Sequence, residues 1–252
     1  MTGIRQLVRY LQISDGNMEE GSLRCDVNIS IRPKGTDVLN NRCEVKNVNS
    51  MKFARQAIEF EELRQQKIVE KGGIVAQQTL NFDPATGVTS PLRSKEDAHD
   101  YRYFPEPDLP PIQLSADFLD TERKNITVLP WEAFHFLHNE LGLPVQEASI
   151  LSELKDTFIY YKSFLEKVED KKLLTNFLVN KLLPSLHEKG LSLADSPLSK
   201  EGILQFLSLI SSEKLSHSIA YQKLFPLWME NPSLHPLDLA ESQQWLQEKE
   251  EG

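Results

Sequence analysis

The residues from Ser22 to Arg32 alternate strictly between polar and apolar side chains, and this pattern constrains the fold more than any other feature of the chain. Successive side chains of a β-strand point to opposite faces of a sheet. One face of the predicted strand therefore carries the apolar residues Leu23, Cys25, Val27, Ile29 and Ile31. The alternation resumes from Arg42 to Lys46 after a short polar loop, which predicts an antiparallel pair of strands.

Helices are predicted before the first strand of this pair and after the second. Apolar residues at helical spacing predict a short helix over Ile4–Leu11. After the second strand, Asn49 or Ser50 can cap the first amides of a longer helix, and Gly72–Gly73 can end it. Phe53, Ala57, Leu63 and Val69, with their neighbours, recur at helical spacing in this longer helix, and we predict that they form its apolar face.

The pattern changes near the middle of the chain. Ile74–Phe82 predicts a further strand, and Asp83–Gly87 has the composition of a turn. Pro105–Pro111 contains four prolines in seven residues, which predicts an extended connector. From about residue 115 onward the periodicity is helical almost throughout, so we predict an all-α domain of five or six helices and an α+β protein overall.

Composition excludes several classes of protein. No apolar run approaches the roughly 20 residues that cross a bilayer, and the N-terminal sequence has no secretory signal pattern. Two cysteines provide no disulfide framework, so we expect a cytoplasmic protein. The net charge is −9, with −8 of it in residues 114–252, which argues against indiscriminate binding of nucleic acid.

The polar face of the predicted strand pair holds the strongest candidates for chemistry. It would present Arg24, Asp26, Asn28, Glu44 and Lys46, with Glu19 and Glu20 just before the first strand. Carboxylates on neighbouring strands can share Mg²⁺, which prefers oxygen ligands, and the cationic side chains can contact phosphate. The amides opening the next helix, over residues 47–50, could also bind an anion. The spacing alone favours the solvated face of a sheet, without settling the matter.

Other motifs point to structural roles. The sequence contains no phosphate-binding glycine loop, no CxxC pair and no HExxH motif. His135 and His138 could share one helix face, but without a third ligand nearby we interpret them as surface residues. Cys25 and Cys43 fall on the apolar face of the strands and are predicted to be small buried residues.

Three long motifs resemble those of the family formed by the B subunits of aspartyl/glutamyl-tRNA amidotransferases. They are Met18–Gly35, Glu44–Glu61 and Leu92–Pro111, in the family's order and spacing. In the helical half the resemblance is looser, over Leu141–Pro144, Asn176–Leu186 and Leu209–Phe225. It implies a partial glutamine-synthetase-like antiparallel β cradle that holds ATP and Mg²⁺. In that family the side-chain carboxylate of Glu-tRNA(Gln) or Asp-tRNA(Asn) is phosphorylated, and ammonia from glutamine then displaces the phosphate.

The resemblance also implies roles for individual residues. Metal ligands would be Asp26 and Glu44, with Glu20 a further candidate. Lys46, like Arg24 and Asn28, would contact phosphate or the aminoacyl group. The wall beside them would be shaped by Asn47 and Asn49. The third motif contains Asp100, Tyr101, Arg102 and Tyr103, which would either support the cradle or contact the substrate.

Partners and domains follow from the same resemblance. It implies three partners, which are an amidase (A) subunit, a small C subunit and a mischarged tRNA. It implies no binding to a membrane. The domains would be 1–113 (the C-terminal part of the cradle), 114–228 (helical) and 229–252 (the start of a tail domain). Since the family carries a further Glu and His before the equivalent of Met1, we expect the chain alone not to catalyse the reaction. Two alternatives are a noncatalytic partner- or tRNA-binding module and a stand-alone ligase acting on a small molecule.

Overall fold

The chain forms two compact units, Met1–Ile126 and Thr127–Gly252. The computed structural model describes residues 1–92 and 107–247. The observed division therefore lies after the predicted boundary at residue 113, and the predicted division at residue 228 stays a prediction. Among the residues described, none of the helices combines the length and the apolar character required to cross a bilayer.

The first unit contains a four-stranded sheet in the order β1-β2-β3-β4. Its strands are β1 (Val27–Ile29), β2 (Cys43–Lys46), β3 (Gln78–Asp83) and β4 (Val88–Pro91). The predicted antiparallel pairing of β1 with β2 is confirmed, and β4 returns antiparallel to β3. However, β2 and β3 are parallel, so the expectation of an antiparallel sheet is corrected to a mixed one. A helix links β2 to β3, and such a crossover allows two strands to run in the same direction.

The strands are shorter than the alternation predicted. β1 covers three residues of the predicted run Ser22–Arg32. It is an edge strand, and its pairing with β2 runs only from Val27 opposite Val45 to Ile29 opposite Cys43. Arg24 and Asp26 therefore precede β1, and β3 begins at Gln78 instead of Ile74.

The helices of the first unit are α1 (Thr2–Tyr10), α2 (Met51–Glu70) and α3 (Ala116–Asn125). Of the two predicted caps of α2, Asn49 and Ser50, the structure uses Ser50, whose side chain accepts a hydrogen bond from Phe53 N at 3.1 Å. Gly72, with φ +75°, ends the helix as predicted. The predicted apolar face needs one correction, since Leu63 is 59% exposed. The buried residues of α2 are Ala54, Ala57, Glu61 and Gln65, which recur at helical spacing on the side facing the sheet.

The second unit is helical, as predicted. Its helices are α4 (Pro130–His135), α5 (Val145–Leu151), α6 (Lys155–Lys162), α7 (Lys171–Phe177), α8 (Leu183–Glu188), α9 (Lys200–Ser211), α10 (His217–Ile219), α11 (Phe225–Glu230) and α12 (Pro236–Ser242). Wider π-helical segments, Phe136–Glu140, Leu178–Leu182 and Ala220–Leu224, continue α4, join α7 to α8 and join α10 to α11. When helical segments that continue directly into one another are counted as one helix, the described residues from Ala116 onward form eight helices. This is more than the five or six predicted. The break at residues 152–154 contains no glycine or proline that would reveal it.

An aromatic cluster forms the core of this unit. Phe177 packs edge-on against Phe225 with ring centroids 5.5 Å apart, and Phe206 stacks on Trp228 at 5.8 Å. Gly202 on α9 lies directly against Trp228, because a Cβ atom at this position would come 2.5 Å from Trp228 Cζ2. Real carbon atoms do not approach so closely, so the contact between α9 and the Trp228 ring requires glycine.

Replacing Gly202 with alanine should lower the free energy of unfolding by about 1–3 kcal/mol, since the added methyl group overpacks the core. Urea denaturation followed by circular dichroism measures this change. Ser208→Ala is the matched control, since Ser208 is an exposed residue of the same helix and should change stability by less than about 0.5 kcal/mol. Equal stability of Gly202→Ala and wild type would contradict the packing described.

Candidate functional site

The sheet of the first unit has one buried and one open face. Cys43 and Val45 on β2 are fully buried under α2, as the alternation predicted, and they share a core with residues of β1, β3 and α2. Glu44 and Lys46 lie on the opposite face, where their side chains are 35% and 51% exposed. The polar face predicted from the sequence is therefore present on β2.

The polar face is a grid of side chains from neighbouring strands. Glu44 lies opposite Asn28 of β1 on one side and Thr79 of β3 on the other. In the next row, Lys46 lies opposite Asn81 of β3, and Asn81 lies opposite Ser90 of β4. Residues directly opposite each other on one face of a sheet have Cβ atoms about 5 Å apart. The grid thus places a carboxylate between an amide and a hydroxyl group.

Glu44 is the centre of this grid. Its Oε1 lies 3.9 Å from Lys46 Nζ, and its Oε2 accepts a hydrogen bond of 3.5 Å from Thr79 Oγ1. With Asn28 beside it, the row offers carboxylate and amide oxygens, donor types that fit Mg²⁺. The Lys46 ammonium group supplies positive charge suited to a phosphate. The row can therefore hold a hard cation next to a phosphoryl group.

The other predicted acidic ligands lie around this grid. Asp26 is exposed and immediately precedes β1, and Glu20 is exposed in the turn over residues 18–21. Within residues 1–92 and 107–247, no three His, Cys, Asp or Glu side chains are close enough to form a metal site. The structure therefore does not bring Glu20, Asp26 and Glu44 together as a three-carboxylate site. Arg24 is exposed two residues before Asp26.

Two asparagines occupy the connection between β2 and α2. Asn47 has a left-handed backbone with φ +63°, and its Nδ2 donates a hydrogen bond to Asn81 Oδ1. Asparagine tolerates this conformation better than most residues. Asn49, by contrast, lines a shallow hollow at the start of α2 together with Arg5 and Glu19. The predicted wall is thus split between the polar face and this hollow.

Sequence reasoning missed the contribution of β3 to the polar face. Thr79 and Asn81 alternate with the buried residues Leu80 and Phe82. This alternation was visible in the sequence, but the strand that neighbours β2 was not. The parallel pairing of β3 with β2 places Thr79 and Asn81 in the site.

A buried ion pair lies under the sheet on its other face. The Glu61 side chain is fully buried, and both of its oxygens accept 2.8 Å hydrogen bonds from Arg64. Thr89 Oγ1 and Gln65 Nε2 also donate to it. Burial alone would raise the pKa of the Glu61 carboxyl, but these hydrogen bonds and the charge of Arg64 outweigh burial and lower the pKa. Burial, reinforced by the charge of Glu61, raises the pKa of the neighbouring Cys43 thiol.

The two histidines, the two cysteines and four residues of the third motif were also singled out from the sequence. His135 Nδ1 lies 3.5 Å from Glu140, whereas His138 Nδ1 donates a 2.7 Å hydrogen bond to Leu143 O, so each imidazole has its own partner. Cys43 is buried as predicted, and Cys25 is partly buried against the same core. The third motif's Asp100, Tyr101, Arg102 and Tyr103 lie outside the described residues.

Comparison with known proteins gives two matches to family models and many curated relatives. Residues 1–120 match the model described as the GatB/GatE catalytic domain, and residues 159–252 match the one described as the GatB domain. The B subunit of the aspartyl/glutamyl-tRNA(Asn/Gln) amidotransferase of Geotalea uraniireducens is 41% identical over 225 residues, which is 89% of this chain and 47% of the relative.

Proteins of the same description from two other organisms give similar values. The Nitrosococcus oceani protein is 43% identical over 221 residues, covering 87% of this chain and 46% of the relative. The Rhodospirillum rubrum protein is 43% identical over 227 residues, covering 90% of this chain and 46% of the relative. The chain thus spans about half the length of the curated relatives it matches.

Proposed function

Because this chain belongs to the family of aspartyl/glutamyl-tRNA(Asn/Gln) amidotransferase B subunits, we propose that it takes part in activating the side-chain carboxylate of a mischarged aminoacyl-tRNA. The substrate is Glu-tRNA(Gln) or Asp-tRNA(Asn), and the product is Gln-tRNA(Gln) or Asn-tRNA(Asn). ATP is the phosphoryl donor, and the reaction accompanies translation in the cytoplasm. The partners are an amidase (A) subunit that releases ammonia from glutamine and a small C subunit.

The observation that supports this proposal best is the position of Glu44 on the open face of the sheet. One of its oxygens faces Lys46 and the other faces Thr79, while Asn28 lies opposite on β1. A cation site beside an ammonium group is what transfer of a phosphoryl group needs, because negative charge develops on the equatorial oxygens.

Each predicted residue has a role in this proposal. Asp26 and Glu44 would hold Mg²⁺, with Glu20 as a further oxygen donor. Because the three carboxylates do not form a cluster in the structure, Asp26 and Glu20 would have to move towards Glu44 when the ion binds. The ion would neutralise charge on the transferred phosphoryl group. Lys46 orients that group by pairing with its oxygens, and Arg24 and Asn28 hold phosphate or the aminoacyl carboxylate. Asn47 shapes the edge of the polar face, and Asn49 shapes the hollow at the start of α2.

The chemistry explains why a carboxylate needs activation. A carboxylate is a poor electrophile, since its negative charge repels an attacking amine. Transfer of the γ-phosphoryl group to a carboxylate oxygen releases ADP and creates an acyl phosphate. Ammonia then attacks the acyl carbon, phosphate leaves with the electron pair of the C–O bond, and the nitrogen loses a proton to give the amide.

The proposal is tested by following phosphate transfer and amidation separately in the assembled complex. With ATP radiolabelled on its γ-phosphate and Glu-tRNA(Gln), labelled phosphate should be released in proportion to Gln-tRNA(Gln) when glutamine is supplied. Omitting the aminoacyl-tRNA should abolish this release, which distinguishes activation of the substrate from background hydrolysis of ATP. Amidation that proceeds at an unchanged rate without ATP would contradict the proposal.

The chain by itself provides a second comparison. With ATP, Mg²⁺, glutamine and Glu-tRNA(Gln) but no partner protein, we expect no appreciable Gln-tRNA(Gln), because ammonia has to come from the amidase. Appreciable product from the isolated chain would contradict this expectation.

A further inference from the structure

Strand β3 contributes two polar side chains that contact residues of the proposed site. Thr79 lies beside Glu44, and Asn81 lies between Lys46 and Ser90 on the same face. Each of the two reaches back to β2 or to its exit, through the hydrogen bonds from Thr79 to Glu44 and from Asn47 to Asn81. The β2–β3 pairing therefore connects the site to a strand that no motif indicated.

We propose that β3 supplies two positioning residues, Thr79 for the Glu44 carboxylate and Asn81 for the backbone turn at Asn47. This inference rests on the proposed function, because it assigns to β3 the task of orienting the groups that would hold the cation and the phosphate. Neither residue is placed in contact with substrate.

Thr79 restricts the Glu44 carboxylate to one orientation. Glu44 is about one-third exposed, so its side chain would otherwise be free to rotate towards water. Lys46 attracts Oε1 while the Thr79 hydroxyl donates to Oε2, so each oxygen has its own partner. Hydrogen-bonding partners of a ligating carboxylate fix its orientation, and losing one typically costs about 10–100-fold in metal affinity.

Asn81 holds the turn that the backbone makes after β2. Asn47 has a positive φ, and the next residue, Val48, is buried in the core of the first unit. Its side-chain bond to Asn81 ties this left-handed turn to β3 at the level of Lys46. Losing the bond would let the turn relax, and Lys46 directly precedes it. A change at Asn81 should therefore alter binding at the polar face without removing any ligand.

The Thr79 assignment is tested by direct binding of Mn²⁺ to the full chain, followed by electron paramagnetic resonance. Thr79→Val keeps the shape and removes the hydroxyl, and we expect Mn²⁺ affinity to fall about tenfold. Thr79→Ser restores the donor and should bind within about twofold of wild type. Thr36→Val, which makes the same change in the exposed loop after β1, should leave the affinity unchanged. Wild-type affinity in Thr79→Val, or a loss in Thr79→Ser as large as in Thr79→Val, would overturn the assignment.

Glu44→Gln in the same titration separates this inference from the proposed function. If Glu44→Gln abolishes Mn²⁺ binding while Thr79→Val has no effect, positioning by Thr79 is wrong and the cation site stands. If Glu44→Gln binds Mn²⁺ as tightly as wild type, both the cation site and its positioning residue are wrong.

The Asn81 assignment is tested with Asn81→Ala, Asn47→Gly and the double variant. Asn47→Gly removes the side chain while glycine accepts the left-handed conformation. Each single variant frees the turn beside Lys46, and losing one net hydrogen bond from the binding-competent arrangement should weaken binding of a nonhydrolysable ATP analogue with Mg²⁺ about fivefold. The double variant should be no weaker than either single one, because all three lack the same bond. Fully multiplicative losses, or wild-type affinity in Asn81→Ala, would overturn the assignment.

Discussion

Replacing Glu44 with glutamine in the proposed amidotransferase complex should lower the rate of Gln-tRNA(Gln) formation at least about a hundredfold. Glutamine has the same shape but no charge, so the open face of the sheet loses the carboxylate between Asn28 and Thr79. A bound cation contributes several kcal/mol of charge stabilisation in phosphoryl transfer, and each 1.4 kcal/mol or so is tenfold in rate. Initial rates at saturating ATP and Mg²⁺ measure the loss, for Glu-tRNA(Gln) and for Asp-tRNA(Asn).

The control for this experiment is Glu62→Gln. Glu62 is an exposed residue of α2, so the same chemical change there should leave the rate within about twofold of wild type. Wild-type activity in Glu44→Gln would remove Glu44 from the site. If Asp26→Ala combined with Glu44→Ala left amidation intact while assembly of the complex failed, the chain would instead serve as a noncatalytic interaction module.

Replacing Glu61 with alanine should lower the free energy of unfolding of the first unit by about 3 kcal/mol. The substitution removes a fully buried carboxylate and leaves the Arg64 guanidinium and the Gln65 amide without their shared acceptor. Breaking a buried ion pair costs about 3–5 kcal/mol, and the lower value applies because the Arg64 side chain is 27% exposed. Urea denaturation gives the energy, and hydrogen exchange should show reduced protection within Met1–Ile126.

Glu59→Ala is the matched control, because Glu59 forms an ion pair with Arg55 on the exposed side of the same helix. Exposed pairs contribute less than about 1 kcal/mol, so this variant should retain nearly full stability. Equal losses in Glu59→Ala and Glu61→Ala would show that the buried network adds nothing.

The Glu61 network also predicts how stability depends on pH. The pKa of Glu61 is lowered from its ordinary value of 4.5, so its contribution is fully present above pH 4.5 and is lost as the pH falls through the folded-state pKa. The difference in stability between wild type and Glu61→Ala should therefore narrow in acid. A difference that stays constant from pH 7 down to pH 3 would contradict the lowered pKa.

The sequence by itself determined the local features of this protein. Alternation placed Cys43 and Val45 on the buried face and Glu44 and Lys46 on the open one. The sequence also offered Asn49 or Ser50 as the cap of α2 and Gly72–Gly73 as its end, and the structure uses Ser50 and Gly72. A cap or a left-handed glycine depends on the few residues around it. The three motifs identified the family, because their order and spacing are legible without any structure.

Tertiary structure decided which strands lie side by side and which helix face they cover. Alternation reports the face of a side chain, but the strand beside it depends on contacts between residues far apart in the chain, so the parallel β2–β3 pairing and the place of Thr79 and Asn81 stayed hidden. Leu63 was placed on the apolar face of α2 for the same reason, although it is exposed. Glu61 looks like a surface residue until Arg64, Gln65 and Thr89 are placed around it, because a buried charge is tolerated only where such partners satisfy it.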